Sequence, residues 1–292
     1  MELRVLRYFL AVTQYQNMTR AAKELLVSQP TLSKQLADLE NELGTKLFIR
    51  GHRHITLTEE GQYLQSRAKE MVQLADQTTA NIRKNQAISG TLSIGAGESI
   101  RMQRIMRIIS NIVQDYPDIK IHLISGNGDE MEKALDHGTI DFAVFMGHRD
   151  LSNFNYLRLP EVDQWGIIML KDDPLSNKTA ITPQDLLGHP LIVSEQGLQE
   201  HRFQDWWGNL NQQMNIIATF SLPFNAQLLV ENTGAYMFTF DHLLVNSHQH
   251  HLIFRSLSPK LVEPITIVWK KNTIQSKAAQ LLIKRLKTTL NK

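Results

Sequence analysis

At 292 residues the chain is long enough for about two domains. Its 42% hydrophobic and 21% charged residues permit packed cores and exclude wholesale disorder, and no apolar run approaches the ~18 residues of a membrane span. Cysteine is absent, which excludes disulfides, thiolate zinc sites, iron–sulfur clusters and a Cys nucleophile, and agrees with a reducing cytosol. The net charge of +2 hides an asymmetry. Residues 1–90 hold 12 Lys/Arg and 9 Asp/Glu (+3), and the remainder hold 19 and 20 (−1).

In residues 2–12, Leu3, Leu6, Phe9 and Leu10 recur at helical spacing. Thr19 is placed to cap a short second helix with Ala22, Leu25 and Leu26 on its buried side. Ser28 is the N-cap of a third, with Pro30 in its first turn, where a missing N–H costs nothing. Leu32, Leu36, Leu39 and Leu43 form its apolar stripe, and Gly44 ends it. Two helices joined by a three-residue turn form a helix-turn-helix. The third helix presents Gln29, Thr31, Ser33 and Lys34 at its polar N-terminal end. Gln can read adenine bidentately, Ser and Thr serve bases or phosphates, and Lys serves a phosphate or guanine. Residues 46–50 and 54–57 predict two short strands, a wing carrying Arg50 and Arg53 in the basic run Arg50-Gly51-His52-Arg53-His54. From Thr58, Gly61, Leu64, Ala68, Met71, Ala75, Thr78 and Ile82 step as a heptad seam. A helix over residues 58–85 would be roughly 42 Å long, and its expected use is a dimer-forming linker.

The run Asn17-Met18-Thr19-Arg20-Ala21-Ala22, Leu25, Ser28-Gln29-Pro30-Thr31-Leu32-Ser33, Leu39-Glu40, Leu43-Gly44, Leu47-Phe48, Arg50, Arg53, Leu57-Thr58 and Gly61 resembles the amino-terminal signature of LysR-type transcriptional regulators. The resemblance covers residues 3–64. Asn17 departs from the family's usual serine, and either can cap or touch a phosphate. The resemblance implies a winged helix-turn-helix (residues 1–58), a linker helix (59–88) and a two-lobed α/β effector domain of periplasmic-binding-protein type (89–292). Lobe 1 would comprise residues 89–161 and 264–292, and lobe 2 residues 162–263. It also implies a homo-oligomer, dimer or tetramer, on promoter DNA, with RNA polymerase as a further partner. Thr19, Arg20, Gln29, Pro30, Thr31, Ser33, Lys34, Arg50 and Arg53 are the implied DNA contacts.

Residues 91–292 independently alternate strand and helix patterns, which predicts βαβ units and a largely parallel sheet. Strands are expected at residues 91–95, 119–123, 142–146, 166–170, 191–193, 216–220, 235–240 and 264–270. Helices are expected at residues 101–116, 129–136, 183–187, 199–211, 225–231 and 276–290. A crevice between lobes puts a ligand at the carboxyl ends of strands. Ser99, Asn127, Ser194 and Phe224 are the candidate effector contacts, with Arg101 and His201 as candidate anion binders. Glu98 facing the crevice would disfavour an anion unless Arg101 neutralises it.

Enzyme readings are weaker. Gly95-Ala96-Gly97-Glu98-Ser99-Ile100 lacks the third glycine of a dinucleotide fingerprint, and the chain has neither a GxSxG elbow nor a P-loop lysine motif. His248, His250 and His251, with His242 nearby, fit no standard metal spacing. The expectation is a cytoplasmic, non-enzymatic regulator. It would need no cofactor or metal, would stay off membranes, and would respond to a small-molecule effector of unknown identity. The alternative is a solute-binding protein whose N-terminal module only dimerises.

Overall fold

The computed structural model describes residues 1–50, 55–83, 88–243 and 251–290. They form two compact units, Met1–Asn85 and Gln86–Lys292.

The first unit is α1 (Leu3–Tyr15), α2 (Met18–Glu24), α3 (Gln29–Leu43), the hairpin β1 (Phe48–Arg50) and β2 (Ile55–Leu57), and α4 (Glu59–Arg83). Its core interleaves Leu6, Phe9 and Val12 of α1, Ala21 and Ala22 of α2, and Leu32, Leu36 and Leu39 of α3. Fully burying one such leucine contributes roughly 1.5–3 kcal/mol. The small Ala21 and Ala22 let α2 approach closely. Ser28 accepts the Thr31 N–H, and Gly44 ends α3 in the left-handed region at φ 69°. β1 and β2 pair antiparallel, Phe48 opposite Leu57.

Three expectations change here. The α2 cap is Asn17, whose Oδ1 accepts the Arg20 N–H at 2.9 Å, while Thr19 lies inside the helix. Leu26 is not on a buried face. It sits in the turn at φ 54° and is 92% exposed. The turn needs a left-handed residue at this point, and a Cβ-bearing aliphatic adopts that conformation at a cost of about 1–2 kcal/mol. Leu26→Asn is therefore expected to stabilise this unit by about 1 kcal/mol, read as a higher urea midpoint of its unfolding transition. An unchanged or lower midpoint would show the turn carries no strain. Lastly, the first half of the α4 seam is spent inside its own unit. Leu64 and Ala68 are buried in the core with Met71 against them, and Gly61 is buried under Leu47. A Cβ on Gly61 would lie 2.2 Å from the Leu47 carbonyl oxygen, so this glycine is a contact point with the wing.

The second unit begins with β3 (Gly90–Ala96), α5 (Met102–Asp115), β4 (Ile119–Ser125), α6 (Gly128–Asp136) and β5 (Phe142–Met146). The single long strand β6 (Phe154–Leu170) leads to β7 (Ala180–Ile181), β8 (Pro190–Ser194), α7 (Glu195–Gln199), α8 (Gln204–Trp207), β9 (Asn215–Phe220), α9 (Pro223–Thr233) and β10 (Tyr236–Phe240). Then come β11 (Leu252–Leu257), β12 (Val262–Lys270) and α10 (Lys277–Leu290). β4, β3 and β5 are parallel neighbours, and so are β10, β8 and β9. Between the two triplets run β6 and β12, antiparallel to each other from Val262 opposite Gln164 to Lys270 opposite Phe154.

The sheet is therefore mixed rather than largely parallel. The lobes are joined by two continuous strands, β6 carrying the chain across and β12 carrying it back. The β6/β12 register shifts between Pro264 and Thr266. A bulge there accommodates a proline that cannot donate to the ladder. The helix expected at residues 199–211 is broken into α7, α8 and a 3-10 turn over Gly208–Gln213. His201 and Gly208 both take positive φ and interrupt it. β11 escaped the sequence reading, because its residues are all half-buried except Leu257 and show no clean alternation.

Candidate functional site

In the first unit, α3 carries the chemistry. Ser28 Oγ accepts the Thr31 N–H and lies 2.7 Å from Thr31 Oγ1, so the hydroxyl pair is pre-positioned at the helix start. Gln29, Pro30, Thr31 and Lys34 are exposed, and Ser33 is half-buried. Thr19 and Arg20 are exposed on the first turn of α2, and the Arg20 guanidinium lies 5.1 Å from the Tyr15 ring centroid. Arg50 ends β1. Arg53 and the Arg50 side chain lie outside the described residues.

Sequence reasoning gave Glu40 no role beyond its place in the family signature. Glu40 is 6% exposed. Its carboxylate accepts the backbone N–H groups of Leu47 (2.9 Å) and Phe48 (3.4 Å) and pairs with Lys46 Nζ at 2.8 Å. Burial alone would raise its pKa, but the Lys46 and backbone hydrogen bonds outweigh it and hold the carboxyl below its ordinary range. Glu40 thus ties the first wing strand to the recognition helix. The available signal was spacing, since Glu40 falls four residues after the buried Leu36.

In the second unit, an open cleft of about 90 Å³ lies at the carboxyl ends of the parallel strands. One wall is Gly97 and Glu98 after β3, Gly126, Asn127 and Gly128 before α6, and Val144 to Met146 of β5. The other is Ser194, Gln196 and Gly197 around the start of α7, Arg202, the Phe220–Pro223 turn, Thr239, Phe240 and Leu243. Trp165 of β6 contributes its ring, 4.2 Å from that of Phe240.

Among the expected contacts, Asn127 and Ser194 line this cleft. Both are also helix caps: Asn127 Oδ1 accepts the Glu130 N–H, and Ser194 Oγ accepts the Gly197 N–H. The other four expected contacts do not line it. Ser99 is buried behind the wall, its Oγ donating to Asp163 Oδ1 at 2.7 Å and accepting the Arg101 N–H at 3.0 Å. Arg101 donates to Asp241 Oδ2 at 2.5 Å and to the Val162 carbonyl at 3.1 Å, and lies 3.8 Å from Asp163. It is committed to carboxylates and does not serve Glu98. His201 is exposed on its left-handed turn, and Phe224 is exposed on the first turn of α9. His251 is described and exposed, whereas His248 and His250 lie outside the described residues.

Arg202 is the cation that reaches the cleft, and the sequence did not single it out. Its guanidinium pairs with Glu200 and with Glu263 Oε2 at 3.1 Å. It packs so tightly on Gly147 (φ 102°) that a Cβ there would sit 1.5 Å from Nη1. Glu263 Oε1 also accepts the Trp165 indole N–H at 3.1 Å. Beside the cleft, Gln196 Oε1 accepts the Gly128 N–H at 2.9 Å. Arg149 joins Asp129 and Glu132 of lobe 1 to Glu200 of lobe 2. These contacts bridge the lobes directly.

The family model described as "Bacterial regulatory helix-turn-helix protein, lysR family" matches residues 3–62, and that of the "LysR substrate binding domain" matches residues 85–291. The chain belongs to the LysR family of bacterial regulators. It is a transcriptional regulator with a DNA-binding helix-turn-helix and an effector-binding domain. The Hca operon transcriptional activator HcaR of Escherichia coli (strain K12) is 27% identical over 279 residues, 94% of each chain. The regulator BenM of Acinetobacter baylyi is 36% identical over 141 residues, 48% of this chain and 46% of BenM. Full-length CbnR bound to its target DNA shares the fold, with a TM-score of 0.77, 19% identity, and 99% and 100% of the two chains covered. No described helix is long and apolar enough to cross a membrane.

Proposed function

We propose that this LysR-family chain is a self-associating cytoplasmic regulator, without catalytic activity, that reads duplex DNA through α3 and the wing. The observation carrying this reading is the start of α3. There Gln29, Thr31 and Lys34 stand exposed on the capped start of a helix whose last turn Glu40 ties to the wing. Gln29, Thr31 and Ser33 contribute base reading, while Lys34, Arg50 and Arg53 supply phosphate affinity, with Thr19 and Arg20 beside them. The division into residues 1–58, 59–88 and 89–292 assigns DNA reading, association and effector sensing. Tyr63 and Leu74 are exposed on α4 away from its buried seam, which supports association through that helix. The cleft is the effector site. A ligand shifts the lobes only by binding one state better than the other.

The test is a salt titration of the protein on its own upstream intergenic DNA against an unrelated duplex. A preference of about 10³ or more supports specific regulation. Absence of binding even at low salt refutes it. Lys34→Ala should weaken binding to both duplexes and reduce the salt slope by about one. A full slope with altered selectivity at one base pair would instead assign Lys34 to base reading.

A further inference from the structure

The charges around the cleft select the chemistry of what it holds. Among the described residues, Glu98 and Arg202 are the formally charged ones lining it. Arg202 already faces two carboxylates, Glu200 and Glu263, and Arg101 is held by Asp241. Beside the cleft, Asp129, Glu130 and Glu195 outnumber Lys133. An incoming carboxylate would find no uncommitted cation among the described lining residues, and would surrender its hydration against a net negative surround. At the helix starts beside the cleft, three positions offer no free donor. The Gly128 N–H is given to Gln196, the Gly197 N–H to Ser194, and α9 starts at Pro223, which has none.

What the cleft does offer is apolar surface and the hydroxyl-bearing Thr239. Phe145, Trp165, Phe220 and Phe240 supply ring faces and edges. Thr239 is 2% exposed, lines the cleft, and its hydroxyl makes no hydrogen bond to a described residue. A lining hydroxyl that no described residue engages can donate to, or accept from, a bound molecule.

We infer that the cleft takes an uncharged, ring-sized apolar molecule carrying one hydrogen-bonding group for Thr239, and rejects carboxylates. This rests on the reading of the cleft as the effector site.

Three probes share one ring and differ in charge: benzyl alcohol, benzoate and benzylammonium. Calorimetry on the full chain should show benzyl alcohol binding about tenfold or more tighter than either ion. Thr239→Val should weaken benzyl alcohol about fivefold and leave toluene unaffected. Benzoate or benzylammonium binding as tightly as the alcohol, or no binding by any probe, overturns the inference. Gly97→Leu separates it from the reading beneath. A Cβ on Gly97 meets Met146 Sδ at 3.3 Å and the Gly126 carbonyl at 3.8 Å, so a longer side chain can be housed by filling the cleft. In a variant whose melting is intact, lost probe binding places the probe in the cleft. Retained binding places it elsewhere and overturns the inference. If a promoter reporter under G97L keeps wild-type regulation across growth conditions, the effector-site reading itself fails, whatever the probes do.

Discussion

Glu40→Ala is expected to destabilise the DNA-binding unit by about 3 kcal/mol and to abolish operator binding at salt concentrations where the wild type binds. The carboxylate satisfies two backbone N–H groups at the start of the wing and one lysine, and it is nearly fully buried. Truncation leaves the Leu47 and Phe48 donors without their acceptor in a site too closed for free solvation. The wing then loses its tie to α3. Glu40→Gln keeps one acceptor oxygen and should recover a substantial part of the stability. Because the native pKa lies below the ordinary one, Glu40 contributes stability above the unfolded-state pKa, and that contribution is lost as pH falls through the native value. Urea unfolding of both variants at pH 7 and pH 4 checks this. A Glu40→Ala penalty equal at the two pH values would mean the charge is irrelevant and only packing was lost.

The second large effect belongs to the strands that join the lobes. Asp163 on β6 is directly opposite Glu263 on β12 and is 0% exposed. Burial raises its pKa to about 7, against the lowering effect of the Ser99 hydrogen bond and Arg101, with Asp241 and Glu263 adding to the rise. Its Oδ2 has no hydrogen-bond partner among the described residues. The native state therefore keeps a proton that the unfolded chain loses near pH 4. Between those values the native state binds more protons, so Asp163 makes the effector unit less stable as pH rises, by up to about 1.4 kcal/mol per unit. Asp163→Asn removes this dependence. The variant should gain on the wild type in melting temperature from pH 4 to about pH 7, by several degrees, and the gap should level off above that. A gap that does not change with pH would place the titration elsewhere. The same carboxyl lies on β6 where it pairs with β12, the two strands that join the lobes.

Local rules carried much of this molecule. The leucine stripe of α3, the Ser28 cap and the Gly44 stop are written within one stretch from Ser28 to Gly44, and each follows from backbone geometry that needs no distant partner. The strand-helix alternation of the second unit was legible for the same reason, and so was the position of the cleft, because strand ends and helix starts define it. The residues that line the cleft were less so. Ser99 and Arg101 have the right chemistry at the right strand end, yet Asp163 and Asp241 lie 64 and 140 residues further along the chain and engage them first. Arg202 was overlooked for its neighbour His201, because only the packing on Gly147 and Glu263 turns it inward.

The amino-acid order by itself determined the family, the two-part organisation, the recognition helix and its exposed polar end, since these depend on periodicity, caps and short-range spacing. Tertiary structure alone decided which polar groups remain uncommitted. It buried Glu40 under the wing, set Asp163 against Glu263 and spent the α4 seam on its own core. It also left Thr239 as the open hydroxyl of the cleft. A side chain's availability is a competition among partners brought together by folding, and its outcome depends on distances that sequence separation does not encode.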